Sequence, residues 1–249
     1  MGHNSTSIQL VLLITLSGIL SLKTIQLGFC SADHNAGCID IEMKALLKLK
    51  QGLTDPSDRL SSWVGEDCCK WSGVGCNNIT GHVNRLDLRN VDGATDHAFG
   101  GEINPSLLVL KDLVYLDLSM NYFEGVQLPS FIGSLEKLKY LNLSGTSFGG
   151  IIPHNLGNLS RLLYLDLSND PHDPIETDLQ WLATLSSLKY LNLGGVDLAK
   201  ATSYWLPTAN MLPSLVELHL PFVDFPSFLS LFLISTSHPF WFLISPAMV

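Results

Sequence analysis

Positive charge is scarce in this sequence: 14 Lys and Arg stand against 23 Asp and Glu, a formal net charge of −9. That argues against nucleic acid as a partner, since displacing counterions from phosphates needs a basic patch. Catalytic signatures are missing too. The 8 histidines are scattered, with no H-E-x-x-H and no kinase motif set, so the chain reads as no enzyme and calls for no cofactor. Cysteine is sparse, 5 in all with none after Cys76. No C-x-x-C and no matched Cys/His set occurs, which argues against zinc; no metal is expected.

Long apolar runs are few. The first, Leu10 to Leu20, is too short for a bilayer-spanning helix, which needs about 20 residues. It suits the apolar region of a secretory signal peptide although no Lys or Arg precedes it, with Ser31 and Ala32 before the cleavage point. Residues 1–32 are read as that signal. The rival, N-myristoylation at Met1-Gly2 with Thr6, is set aside because the apolar run lies directly behind it. Cleavage there removes Cys30 and leaves Cys38, Cys68, Cys69 and Cys76, an even count that in a secreted chain reads as disulfides. Adjacent cysteines rarely bond each other, because the tight ring strains the bridge. Cys38–Cys68 with Cys69–Cys76 is the least tangled pairing; four cysteines allow three pairings, and the sequence alone does not choose.

Repetition is what the sequence has in abundance. "LVYLDLSMN" (113–121), "LKYLNLSGT" (138–146), "LLYLDLSND" (162–170) and "LKYLNLGGV" (188–196) share a frame that "VNRLDLRNV" (83–91) opens and "LVELHLPFV" (215–223) continues. Leu116, Leu141, Leu165, Leu191 and Leu218 form one column, at spacings of 25, 24, 26 and 27 residues. This is the leucine-rich repeat period. In L-x-L both leucines face one side of a strand, and parallel stacking of such strands about 4.8 Å apart buries them. Alternate positions then line the concave face in two columns: Tyr115, Tyr140, Tyr164 and Tyr190, then Asp117, Asn142, Asp166 and Asn192. The asparagine expected at the following turn is present only as Asn121, with Thr146, Asp170, Val196 and Val223 in its place, so irregular turn bonding is expected.

After the strands come "NYFEGVQLPSFIGSLEKL" and "SFGGIIPHNLGNLSRL", of the form x-F-x-G-x-I/L-P-x-x-L-G-x-L. Here the chain resembles the plant-specific class of leucine-rich repeats, and residues 33–82, with "CIDIEMKALLKLKQGL" and "SSWVGEDCCKWSGVGC", resemble the matching N-terminal cap. The segment "DLQWLATLSSLKYLNLGGVDLAKATSYWLPTANMLPSLVELHL" is similar to plant receptor-like proteins, in particular those that perceive fungal xylanase. The resemblance implies an α/β solenoid, a right-handed leucine-rich repeat superhelix with a disulfide-stapled cap, about six repeats filling residues 83–224. In the cap, Ile41–Gly52 reads as an amphipathic helix with Asp40 as N-cap and Ala45, Leu46, Leu49 and Leu53 as its apolar stripe. Trp63 and Trp71 read as bulk covering the open end of the core.

Several motifs invite chemistry. "GTSFG" (145–149) matches a nucleophile elbow, but that motif needs a helix after the turn and "GIIP" follows, so Ser147 reads as a chance match. "NDPHDPIETD" (169–178) gathers Asp170, His172, Asp173, Glu176 and Asp178, a cation-site composition in what reads first as a surface loop. Asn78, Asn142 and Asn158 head glycosylation sequons; Asn4 heads another that leaves with the signal. The Tyr column, with Asp117, Asp166 and Asn192, is the candidate ligand-binding strip; alternatively the stacked rings merely stiffen the sheet.

Residues 225–249 contain no Asp, Glu, Lys or Arg and are expected to depart from the repeat. Three prolines and the lack of flanking charge speak against a membrane span, and a truncated or mis-spliced frame is the preferred reading. The whole implies an extracellular or cell-surface recognition module of a plant receptor-like protein, perceiving a protein, peptide or carbohydrate elicitor in defence, with a receptor kinase as partner in the full-length relative. A secreted polygalacturonase-inhibitor-like protein is the alternative, disfavoured by the missing C-terminal cysteines.

Overall fold

The computed structural model describes residues 36–170, 175–198 and 211–220, and the backbone of 241–244. The cap opens with helix α1 (Asp40–Gly52). Ala45, Leu46 and Leu49 are buried on its apolar stripe, and Leu53 lies just past its end. The capping differs from expectation. Ile39 takes the N-cap position with no side-chain bond, and Asp40 sits inside the first turn, bound to Lys44 Nζ at 2.6 Å. A carboxylate there still opposes the positive helix end.

Glu42 on the same helix is buried despite its charge. Its Oε2 accepts the Val83 N–H at 2.7 Å and its Oε1 lies 2.8 Å from His82 Nδ1. A buried carboxylate is tolerable only when so paired, and this one ties the helix to the main-sheet strand that begins at Val83. Trp63 and Trp71 are buried and stacked at 5.4 Å, each donating its indole N–H to a carbonyl, of Ser72 and Val64 respectively. They pack as cap core, as expected.

After α1, the short β1 (Leu53–Thr54) pairs antiparallel with β4 (Gly100–Gly101). The main sheet begins with an antiparallel pair, β2 (Val74–Cys76) and β3 (Val83–Asp87), then runs parallel through β5 (Tyr115–Asp117), β6 (Tyr140–Asn142), β7 (Tyr164–Asp166), β8 (Tyr190–Asn192) and β9 (Glu217–Leu220). Register is strict: Leu86, Leu116, Leu141, Leu165, Leu191 and Leu218 are successive partners and all buried. Among the described residues the return sides of four coils are 3-10 turns, at Pro105–Val109, Ser130–Ser134, His154–Asn158 and Gln180–Thr184. Leu107, Ile132, Leu156 and Leu182 seal the core from that side. The molecule is a leucine-rich repeat solenoid in which the strands form the concave wall.

The strand β10 (Trp241–Ile244) pairs parallel with β9, Phe242 opposite Leu218 and Ile244 opposite Leu220. These four residues extend the sheet, and their aromatic and β-branched composition suits a strand. The expectations placed on residues 1–32, on 225–240 and on 245–249 fall outside the described residues. Among the described residues no helix is long and apolar enough to cross a membrane.

Candidate ligand-binding surface

Strands β5 to β8 each end in Asp or Asn followed two residues later by Ser or Gly, and the structure shows what that spacing does. Asp117 Oδ1 accepts the Ser119 N–H at 3.0 Å and its hydroxyl at 2.6 Å. Asn142 and Ser144 repeat the pair, as do Asp166 and Ser168, and Gly194 donates its N–H to Asn192 Oδ1. These turns, closed by the side chain on its own backbone, fix the ends of these four strands. The column offered as a ligand strip is therefore partly structural. Asp117 has no exposure at all, and Asp166 is buried as well. Neither carboxylate is open to a ligand, which corrects the reading of this column as a contact surface. The i, i+2 Ser was the signal in the sequence.

The second oxygen of each carboxylate points toward the tyrosines. Asp117 Oδ2 accepts from Tyr115 Oη at 3.2 Å, Tyr140 Oη at 3.3 Å and Asn142 Nδ2 at 3.4 Å. Asp166 Oδ2 accepts from Tyr164 Oη at 3.5 Å and Asn192 Nδ2 at 3.1 Å. Burial, then the neighbouring carboxylate, pushes the Tyr140 and Tyr164 phenols above their ordinary range; Tyr190 follows for the same reasons through Asp166. Tyr115 rises through burial, its bond to Tyr140 and the Asp117 charge.

The four rings stack in one ladder, with centroids 4.1, 4.3 and 4.2 Å apart and interplanar angles of 6°, 11° and 5°. Arg85 covers the outer face of Tyr115 at 3.6 Å, and His219 tilts against Tyr190 at 5.3 Å. The faces of Tyr115, Tyr140 and Tyr164 are occupied, so the strip meets solvent by ring edges and hydroxyls. Stacking that stiffens the sheet and exposure to a ligand coexist here, because different parts of the same ring serve each.

The sequence reading missed Arg59. Its guanidinium donates to the carbonyls of His97, Leu88 and Arg89 and to Asn121 Oδ1, and lies over the Phe99 ring at 4.1 Å. Burial lowers its pKa despite the opposing charges of Asp55 and Asp92. Asn121 in turn donates to the Leu88 and Leu118 carbonyls and accepts the Phe99 N–H. Turn bonding elsewhere is irregular, as expected. Thr146 Oγ1 donates to the Leu143 carbonyl at 2.7 Å, and Asn169, one place early, takes over bonds to Ser147 and Phe148.

Both disulfides follow the least tangled pairing, Cys38–Cys68 and Cys69–Cys76. The Cys38, Cys68 and Cys69 sulfurs lie within 4.8 Å of one another, yet each is committed to a bridge and offers no thiolate to a metal. Of the sequons, Asn78 and Asn158 are exposed. Asn142 is half-buried and holds Asp117 and Tyr140 through Nδ2, the atom a glycan would need. At "GTSFG" Phe148 is buried and pairing resumes at Gly149 with no helix. His172 and Asp173 of the acidic loop lie outside the described residues; Ile175 and Thr177 beside them are buried.

The Leucine rich repeat N-terminal domain matches residues 40–77, and the Leucine rich repeat matches residues 111–171. Receptor-like protein EIX1 of Solanum lycopersicum is 42% identical over 212 residues, 81% of this chain and 20% of that protein. Receptor-like protein EIX2 of the same plant is 46% identical over 142 residues, 54% of this chain and 14% of its own length. The chain thus spans a fifth or less of these relatives. Among solved structures, the BIR2 ectodomain from Arabidopsis thaliana is similar at 29% identity and TM-score 0.54, over 65% of this chain and 82% of that one. A chain of the BIR3–SERK2 complex from the same plant reaches 34% identity and TM-score 0.53, over 61% of this chain and 80% of its own. With the cap, the repeat register and these relatives in agreement, the chain belongs to the plant leucine-rich-repeat receptor-like proteins.

Proposed function

We propose that this chain is an extracellular recognition module that reads a protein or peptide elicitor along its concave face, in plant defence, with signalling passed to a receptor-kinase partner. The observation that carries the reading is the tyrosine ladder. It presents a row of hydroxyls along the sheet while its faces are filled, which suits hydrogen bonding to a polypeptide better than stacking on sugar rings. The similarity to EIX1 and EIX2 supports the defence role, and these relatives favour a receptor over a secreted inhibitor. The family's link to fungal xylanase gives the test: surface plasmon resonance of the secreted full chain against purified fungal xylanase. Binding that Tyr164→Ala weakens about tenfold is expected; no binding by the wild-type chain refutes the elicitor.

A further inference from the structure

The chain has four arginines, Arg59, Arg85, Arg89 and Arg161. Three of them line one cleft of about 570 Å³ where the cap meets the first strands of the main sheet. Arg59 is its wall, with its terminal nitrogens already committed to backbone and Asn121 oxygens. Arg85 and Arg89 are different, with side chains 44% and 50% exposed. Arg85 Nη2 donates to Asp87 Oδ2 at 2.7 Å. Arg89 Nε lies 3.4 Å from Asp87 Oδ1, but that oxygen is buried and makes no hydrogen bond.

Two exposed guanidinium groups therefore flank one carboxylate, on a chain whose net charge is −9. Planar guanidinium forks match a carboxylate in both spacing and charge. An acidic residue in a peptide offers such a carboxylate together with flanking side chains, whereas a bare inorganic anion offers charge alone. Val91, highly exposed, gives the cleft an apolar rim for an adjoining side chain. The cleft also adjoins the tyrosine ladder, since Arg85 is the register partner of Tyr115.

We propose that this cleft binds an acidic segment of a peptide ligand, its carboxylate on Arg85 and Arg89 and an adjoining side chain on Val91. The site goes beyond the concave-face reading and stands without it. Isothermal titration calorimetry on the full chain tests it, with acetyl-Asp-Asp-Asp-amide, acetyl-Asn-Asn-Asn-amide and sodium phosphate as probes. The triaspartate binds with a Kd of about 1 mM or tighter, at least about tenfold tighter than the amide peptide or phosphate. Added salt weakens it. Arg89→Gln lowers its affinity about tenfold without moving the thermal midpoint. Tyr164→Ala leaves triaspartate binding unchanged, which separates this site from the xylanase test. Failure of triaspartate to bind, equal binding of the amide peptide, or an unaffected Arg89→Gln chain each overturns the proposal. Phosphate binding as tightly as the peptide overturns the peptide reading and leaves only an anion site.

Discussion

Replacing Asp117 with alanine removes the acceptor on which five hydrogen bonds converge. Their weights differ. The two at Oδ1 come from Ser119, at 2.6 and 3.0 Å, within a fully buried site. A bond to a charged acceptor contributes about 1.5–3 kcal/mol, and a buried backbone N–H left unpaired costs about 1–3 kcal/mol. The three donors at Oδ2 sit at 3.2–3.4 Å on half-buried groups; they can turn to water and add little. The expected loss is about 2–4 kcal/mol, or about 5–15 °C in the thermal midpoint for a domain of this size. Asp117→Asn keeps an oxygen for Ser119 and is expected to lose about half as much. The substitution has a second readout. The Asp117 charge helps to raise the Tyr115 and Tyr140 phenols, behind burial itself. A phenol whose folded pKa is raised contributes stability below its unfolded value of about 10 and loses it as pH climbs toward the folded value. Wild-type stability therefore falls above about pH 10. In Asp117→Asn that fall is shallower, and absorbance at 295 nm shows two tyrosines ionising at lower pH. An Asp117→Ala chain melting within about 1 °C of wild type, with an unchanged tyrosine titration, would falsify the claim that this carboxylate organises the ladder.

Glu42→Ala, which strands the Val83 N–H beneath the cap, should cost about 3 kcal/mol in urea unfolding; a loss under about 0.5 kcal/mol contradicts its bracing role. Removing the Cys69–Cys76 bridge by a double Ser substitution should cost about 2.5 kcal/mol, against about 3.5 kcal/mol for Cys38–Cys68, because the second closes the longer loop. Non-reducing peptide mapping checks the pairing directly. Glycopeptide analysis of the secreted chain should find Asn78 and Asn158 occupied and Asn142 bare, and a glycan on Asn142 would mean that its bonds to Asp117 and Tyr140 do not form.

Much of this was legible before any coordinates. The leucine columns fix register because a slip of one residue would turn every leucine outward, and Leu116, Leu141 and Leu165 do align as the spacing requires. The cysteines were legible as staples once the chain was taken as secreted. The concave columns were legible in position but not in role. Alternation shows that Asp117 and Tyr115 share the outer side; it does not show that Ser119 pulls the carboxylate under the rings. Arg59 was hidden for another reason. Its partners at 88, 89, 97 and 121 are far away in sequence and mostly backbone carbonyls, which leave no trace in residue type. At the other end, Trp241–Ile244 follows a stretch without the repeat's leucines, so its fit to the register, 24 residues after Leu218, was masked by what precedes it.

The alternation of Asp and Asn along the sheet sets a parity on the array. Asn142 donates to Asp117 and Asn192 donates to Asp166, so neighbouring repeats are complementary in twos. Deleting a single repeat would seat Asp117 beside Asp166 at strand spacing, a like-charge contact of about 3 kcal/mol at an effective dielectric of 20. Deleting two would restore the match. Where two carboxylates do meet in register, Asp87 beside Asp117, two arginines flank Asp87 at 2.7 and 3.4 Å. Length variation in this solenoid should therefore proceed by pairs of repeats, or bring its own arginines.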